Sequence, residues 1–553
     1  MTFRNFLMLG AAALAPTVAV AGIAALPVAA FAQDSEPDDA PEIDARIMDE
    51  GLNRSEVQML AHELVDGIGA RLTNSPNMRK AESWAVDKMR DLGLKNVRKE
   101  GFEFGRGWEH LASSATMLTP REVELTATPV AWTPGTNGVI EAEVVVAPIS
   151  ERAHFEAYRG QLAGKIVMIS IPGMGDEPTR APFRRLDSSD ISSRNDVDLP
   201  NYSGEGESVE RSLKRRKFAL ELDEFLAAEG AVAWAKMSYR DGKLLHGTGY
   251  THHVGMSPKL PGIEIAAEDY RRIARFAKTG PAPRLRIEND VRFVDGDTQA
   301  YNIIGEMAGS DPSAGYVMAG AHFDSWYTGD GAVDNGSGSV VVLEAARILK
   351  ALGVKPKRTI KFALWGAEEQ GLLGSLAYAR RHLVSRAGEN DLSAFELSSR
   401  WRDLYPVTAK PGYSDFKAYF NMDNGSGKFR GLHAEGNPAA EPYLRSWLSS
   451  YGVLDAGRVV SGSTGGTDHV YFQAVGLPGY QFIQDPLDYF ARLHHTNVDT
   501  FDHLRPDDLR QAATVMAGVL LAAANDKGSI PKMPLPVRPN VTDPFEYEYP
   551  ETD

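Results

Sequence analysis

Residues 359–371 run Thr359-Ile-Lys-Phe-Ala-Leu-Trp-Gly-Ala-Glu-Glu-Gln-Gly371. β-Branched, aromatic and aliphatic residues make a strand pattern that stops at two adjacent carboxylates, Glu368 and Glu369, and a helical pattern over 372–383 follows. Side-by-side carboxylates repel. A fold keeps such a pair at a strand end where a positive charge stands nearby or where one of the two holds a proton. The chain has no cysteine, so imidazole and carboxylate are its metal-binding groups, and a bound metal is the natural positive charge.

Further groups of this kind recur along the chain, and a pair of metals needs about five or six of them, one shared. His322 and Asp324 follow the apolar run 315–320. Asp334 precedes an apolar helical pattern over 340–352. Asp423 follows the strand-like run 418–422, and His495 lies in Leu-His-His-Thr-Asn-Val-Asp-Thr at 493–500. Each sits where a strand hands over to a loop or helix. In an open α/β sheet the carboxyl ends of the strands line one crevice, so these distant residues are expected to converge there.

The 553 residues are 43% hydrophobic and 24% charged, an ordinary globular composition with length for two to four domains. A net charge of -15 excludes the basic footprint that a nucleic-acid partner requires. Residues 1–32 read as an export signal, with Arg4, an Ala/Val/Leu-rich stretch and the small-residue site Ala30-Phe31-Ala32. No later apolar run approaches twenty residues, so no membrane association is expected after cleavage, and the protein is expected to be secreted or periplasmic.

Residues 33–50 read as an acidic linker. The main domain is expected in two pieces, 51–120 and 299–526, interrupted by an insert over 121–298 that folds by itself. Within the insert, 173–216 read as a polar surface loop, 218–229 as a helix, and His252-His253 as a surface pair. A polar insertion occupies 386–416, and 527–553 form a Pro-rich acidic tail. His62-Glu63 begins an H-E-x-x-H motif that fails at Asp66. Gly329, Gly331, Gly336 and Gly338 match no nucleotide-loop pattern and are expected to let backbone pass close to the ligands.

Taken with their flanks, His-Phe-Asp-Ser-Trp (322–326), Gly-Ala-Val-Asp-Asn-Gly (331–336), Leu-Trp-Gly-Ala-Glu-Glu-Gln-Gly (364–371), Gly-Gly-Thr-Asp (465–468) and His-His-Thr-Asn-Val-Asp-Thr (494–500) resemble metallopeptidase family twenty-eight, co-catalytic di-zinc exopeptidases. The resemblance implies a mixed-sheet, three-layer α/β peptidase domain. Leu-Ala-Gly-Lys-Ile-Val (162–167) makes the insert similar to a protease-associated α+β domain. The resemblance also implies two Zn2+ ions: Asp334 bridging both, His322 and Asp423 completing one site, Glu369 and His495 the other. Glu368 would be the general base on the bridging water, Asp324 would hold the His322 imidazole, and Asp499 would support the second site. His494 competes with His495 for the ligand role; alignment through His-Thr favours His495 and leaves His494 as a substrate contact, while His469 supports the pocket wall or touches substrate. The expected partner is a short peptide, hydrolysed as by a secreted dipeptidase or an aminopeptidase of the family. Assembly is left open, a homodimer among the alternatives. Two other readings stand beside this one, a non-catalytic binding protein on the same fold and a glutaminyl cyclase.

Overall fold

A computed structural model of the chain describes residues 40–175, 181–196 and 206–537. The export signal, residues 33–39 and the tail from 538 lie outside them.

The main sheet has eight strands: β1 (Lys95–Glu103), β2 (Gln299–Met307), β3 (Tyr316–His322), β4 (Thr359–Trp365), β5 (Phe416–Asn421), β6 (Phe429–His433), β7 (Arg458–Val460) and β8 (Gly479–Gln484). Their spatial order is β1-β2-β4-β3-β5-β8-β6-β7. The four central strands β4, β3, β5 and β8 run parallel, with antiparallel pairs at β1–β2, β2–β4 and β6–β8. Buried on both faces, β3 and β8 expose no residue at any position, which is why β3 reads as a continuous apolar run rather than an alternating one. Helices Ser337–Ala351 and Pro506–Asn525 cover one face. Ser337–Ala351 carries three consecutive valines, poor helix formers on their own, but it is apolar on nearly every side and buried almost throughout, so packing sets its conformation.

A second eight-stranded sheet is built entirely from residues 107–294. Its longest pair joins Gly107–Thr119 to Arg284–Val294, antiparallel. The chain therefore leaves the main sheet after Glu103 and returns at Gln299, and the strand Gly107–Thr119 lies in the second sheet rather than on the main-domain side of a boundary at 120. Two further expectations change. Residues 40–50 are not linker: Ala40–Asn53 is a helix whose Ile47 is buried in the main core. The polar loop over 173–216 ends early, because helix Gly206–Ala228 takes up its last eleven residues. Within 386–416, a ribbon of Val384–Arg386 with Val407–Ala409 and a helix, Ala394–Arg400, close over the fully buried Trp401.

The two sheets meet over the carboxyl ends of β3 and β4. Tyr327, just past β3, donates its hydroxyl to Thr128 or accepts from it at 2.9 Å. Asn497 ties the His495 loop to Leu245 of the second unit through two hydrogen bonds, of 2.7 and 3.0 Å. His252 and His253, expected on the surface, sit in this seam at 1% and 8% exposure, His252 stacked on Phe104 at 4.2 Å.

Candidate metal centre and active site

The register of the parallel strands assembles the site. His322 ends β3 opposite Trp365, the last residue of β4, so Glu368 and Glu369 emerge beside it. β5 pairs with β3 on the other side and delivers Asp423 two residues past its end. Asp334 arrives from the loop before helix Ser337–Ala351, where the Asp334–Asn335 peptide is cis. His495 comes from the loop beyond β8 and sits at φ 60°, the left-handed region that a non-glycine residue occupies at a cost.

The five side chains meet. His322 Nε2 lies 3.2 Å from Asp334 Oδ1 and 3.7 Å from Asp423 Oδ1. His495 Nε2 lies 3.4 Å from Asp334 Oδ2 and 2.8 Å from Glu369 Oε2. Asp334 thus stands between two imidazoles, one oxygen toward each. Potential ligand atoms of His322, Asp334 and Glu369 fall within 4.8 Å of one another, as do those of Asp334, His494 and His495. His494 stacks on His495 at 3.6 Å, while its backbone N–H donates to the Tyr489 carbonyl.

The electrostatics fit a cation. Burial pushes Glu368 and Glu369 well above the ordinary carboxylate range, and neighbouring acids, Asp423 at Glu368 and Asp334 at Glu369, push the same way. Asp334 Oδ2 and Glu369 Oε1 are buried acceptors without a hydrogen-bond partner. Orphaned buried carboxylate oxygens are costly, and a divalent ion among two histidines and three carboxylates would satisfy them.

The surrounding polar groups hold the ligand loops by their backbone. Asp324 corrects an expectation: the His322 Nδ1 partner is its backbone carbonyl, at 3.0 Å, while its carboxylate stands 3.9 Å off. That carboxylate instead accepts from the N–H groups of Glu368 and Glu369 at 3.0 and 3.2 Å. It fixes the Glu-Glu corner, where Ala367 at φ 56° makes the turn. Asp499 does the same for the Asp334 loop, accepting from the N–H of Val333 at 2.7 Å and of Asp334 at 3.0 Å. Gly338 is required by close approach: a Cβ there would stand 2.7 Å from the Met422 carbonyl. His469, for which a place in the wall and a substrate contact both stood open, is fully buried and bonded to Thr464 at 3.0 Å, which makes it part of the wall.

Sequence reasoning passed over Arg71. It is fully buried, and its guanidinium donates to the carbonyls of Phe323 (2.8 Å), Asp330 (2.9 Å), Gly331 (2.8 Å) and Gly69 (3.1 Å). It therefore clamps the His322 loop to the Asp334 loop. An isolated arginine in a helix-rich stretch carries no local signal of this. Trp326 was singled out only as family context; it closes the recess formed with Asp334, Glu369 and His495.

Residues 302–520 match Peptidase family M28. Carboxypeptidase Q of Mus musculus is 27% identical over 476 residues, covering 85% of this chain and 86% of that relative. Among solved structures, a peptidase M28 precursor from Shewanella amazonensis SB2B superposes with a TM-score of 0.63 at 24% identity, covering 90% of this chain and 99% of that one. BSAP, a zinc aminopeptidase from Bacillus subtilis, superposes with a TM-score of 0.52 at 20% identity, over 86% and 98%. At such identities the two structures speak for the mixed α/β fold alone. The matched segment contains all five candidate ligands and Glu368, and it is this segment of the chain that is similar to peptidase family M28.

Proposed function

We propose that the protein is a zinc-dependent exopeptidase that hydrolyses short peptides, dipeptides foremost. The observation that carries this reading is Asp334 set between His322 and His495, with Asp423 and Glu369 completing a donor set for two ions. Zinc held by these five residues would supply positive charge that acidifies water and polarises the scissile carbonyl.

The rest falls to the chain's own groups. Glu368 takes a proton from the attacking water and passes it to the leaving nitrogen as the C–N bond breaks. Asp324 positions Glu368 and Glu369 together through their backbone N–H groups, so base and ligand keep a fixed spacing. The second sheet, read as a protease-associated domain on the strength of residues 162–167, covers one side of the site and limits access to small substrates. Export fits residues 1–32, and no helix among the described residues is long and apolar enough to cross a membrane. The presence of all five ligands and Glu368 favours a catalyst over a binding protein, and the paired donor sets favour two metals over the single zinc of a cyclase.

The test is the metal content of the purified mature protein, measured with turnover of free dipeptides and of aminoacyl-nitroanilides. About two zincs per chain and chelator-sensitive dipeptide hydrolysis are expected. No bound metal and no turnover after zinc is added back would refute the proposal.

A further inference from the structure

Of the five candidate ligands, His495 alone lies in the left-handed region, at φ 60°. A residue strained in this way persists only where its surroundings over-determine it. Part of that support is local. Thr496 shares its hydroxyl proton between the carbonyls of Arg492 at 2.8 Å and Leu493 at 3.1 Å, and the Asp499 N–H donates to the Thr496 carbonyl at 3.2 Å. Three further bonds cross the seam from the second unit. Arg240 Nη1 donates to the His494 carbonyl at 3.3 Å. The Asn497 N–H donates to the Leu245 carbonyl at 3.0 Å, and the Leu245 N–H donates back to Asn497 Oδ1 at 2.7 Å. His495 is thus bracketed: the residue before it and the second residue after it are tied to one loop of the other unit, 240–245.

That loop is itself firmly held. It lies between the strands Ala233–Met237 and Gly262–Ile265, neighbours in the second sheet. Glu264, buried in the second of these strands, accepts from the N–H of His246 at 2.7 Å and of Gly247 at 3.2 Å, and pairs with Lys236 at 3.1 Å. The Gly247 carbonyl accepts from the Ala131 N–H at 2.8 Å. Leu244 and Leu245 are both buried. Glu264 therefore does for the Leu245 loop what Asp324 and Asp499 do for the ligand loops: a buried carboxylate pins backbone N–H groups. From the middle of the second sheet to the His495 loop, the connection runs through backbone and one side-chain amide, Asn497.

We propose that Asn497 is a positioning residue for the His495 half of the centre, and that through Leu245 it makes the docked second unit part of what holds that ligand. The inference rests on the two-ion reading of the site. The other half stands on the main sheet: His322 ends β3, and Asp423 lies two residues past β5. The seam therefore divides the two donor sets. Loosening it weakens the ion at Glu369 and His495 and spares the ion at His322 and Asp423. Coupling between two binding events is reciprocal. An ion on the His495 side tightens the seam by the same factor, so metal protects the amides of a segment of the second unit that holds none of its ligands.

The test titrates the metal-free full chain with zinc by calorimetry and with cobalt by its visible absorption. Hydrogen exchange over residues 238–248 is followed by mass spectrometry with and without zinc. The wild type is expected to take two ions. Asn497→Leu, which keeps the size and removes the acceptor, should bind one ion as the wild type does and the other about 10–100-fold more weakly. Asn497→Asp, which keeps an acceptor for the Leu245 N–H, should recover most of that loss. Arg240→Met should weaken the same ion by a smaller factor. Zinc should slow exchange over 238–248 in the wild type and not in Asn497→Leu. Where Asn497→Leu does not fold, Arg240→Met and the exchange of the wild type carry the test. Two ions bound to Asn497→Leu at wild-type affinity, both ions weakened alike, or exchange that zinc leaves unchanged overturns the positioning role and leaves the two-ion reading standing. A wild type that binds fewer than two ions overturns the two-ion reading and the role with it. Selective weakening of one ion in a protein that hydrolyses no peptide keeps the role and overturns the exopeptidase reading.

Discussion

Replacing Arg71 by methionine separates the stability of the protein from the placement of its metal ligands. Burial brings the guanidinium down from the ordinary arginine range to about 10, although Asp499, Asp324, Asp330 and Asp334 all favour its charge. That fall is a penalty on the charged form of about 3 kcal/mol. It applies in full below pH ~10 and is relieved only as pH rises toward the unfolded value. Methionine removes the penalty but leaves the buried carbonyls of Phe323 and Gly331 without their donor, at about 1–3 kcal/mol each. The Gly69 and Asp330 carbonyls are partly exposed and can turn to water. The opposing terms nearly offset, so the variant should fold and lose no more than about 3 kcal/mol. Position is what it loses. Phe323 follows His322 directly, and Gly331 opens the turn into Asp334. Outer partners of metal ligands are typically worth about 10–100-fold in affinity, so Arg71→Met should bind zinc that much more weakly. Competition against a chromogenic chelator measures the affinity, and urea unfolding of the metal-free protein measures the stability. A folded variant whose zinc affinity stays within about twofold of wild type would refute the clamp.

Glu368→Gln should keep its zinc and lose about 10²–10⁴-fold in kcat, because the amide cannot carry the proton; near-normal turnover would remove Glu368 from the role of base. His495→Ala should lose bound zinc by elemental analysis while His494→Ala retains it, and the opposite result reverses the ligand assignment. Glu435 is buried, accepts from the Thr464 N–H and hydroxyl at 2.7 and 2.8 Å, and is pushed up to about 7. A raised acid stabilises the fold in full below 4.5 and loses that contribution as pH rises through about 7, on the order of 3 kcal/mol. Glu435→Gln should therefore flatten the decline in urea midpoint between pH 5 and pH 8, and a slope identical to wild type would show that this carboxyl does not titrate there. Stripping zinc should lower the thermal midpoint as well as abolish turnover, since an ion bound at about a thousand times its Kd stabilises the native state by about 4 kcal/mol; an unchanged midpoint would argue against a site integral to the fold.

The ligand positions were legible because each is written into a local pattern. A parallel strand buried on both faces announces itself as an apolar run, and a polar group just past its end has one destination, the crevice at the carboxyl edge. His322, Glu369 and Asp423 follow that rule, Asp334 and His495 arrive through longer loops, and the structure brings all five to one point. The failures share a different cause. Asp324 was assigned to the His322 ring on the family resemblance, yet its carboxylate reaches forty-odd residues on to the backbone of Glu368 and Glu369. His252-His253 read as a polar pair, and only the approach of Phe104 from another part of the chain buries it. Residues 40–50 read as acidic linker because their charges dominate the composition, while one apolar residue per turn sufficed to dock the helix.

By itself the sequence determined which side chains can hold a metal and that strand ends present several of them together. It could do so because ligand type and strand pattern are properties of contiguous residues. Only the tertiary structure decided what fixes those groups and what reaches them. The Arg71 clamp joins carbonyls more than two hundred and fifty positions away in the chain, and a cavity at Glu369 is walled by a sheet and a helix that belong to the other unit. A buried cation and an enclosed volume exist only when distant segments exclude water between them, and no stretch of sequence records that.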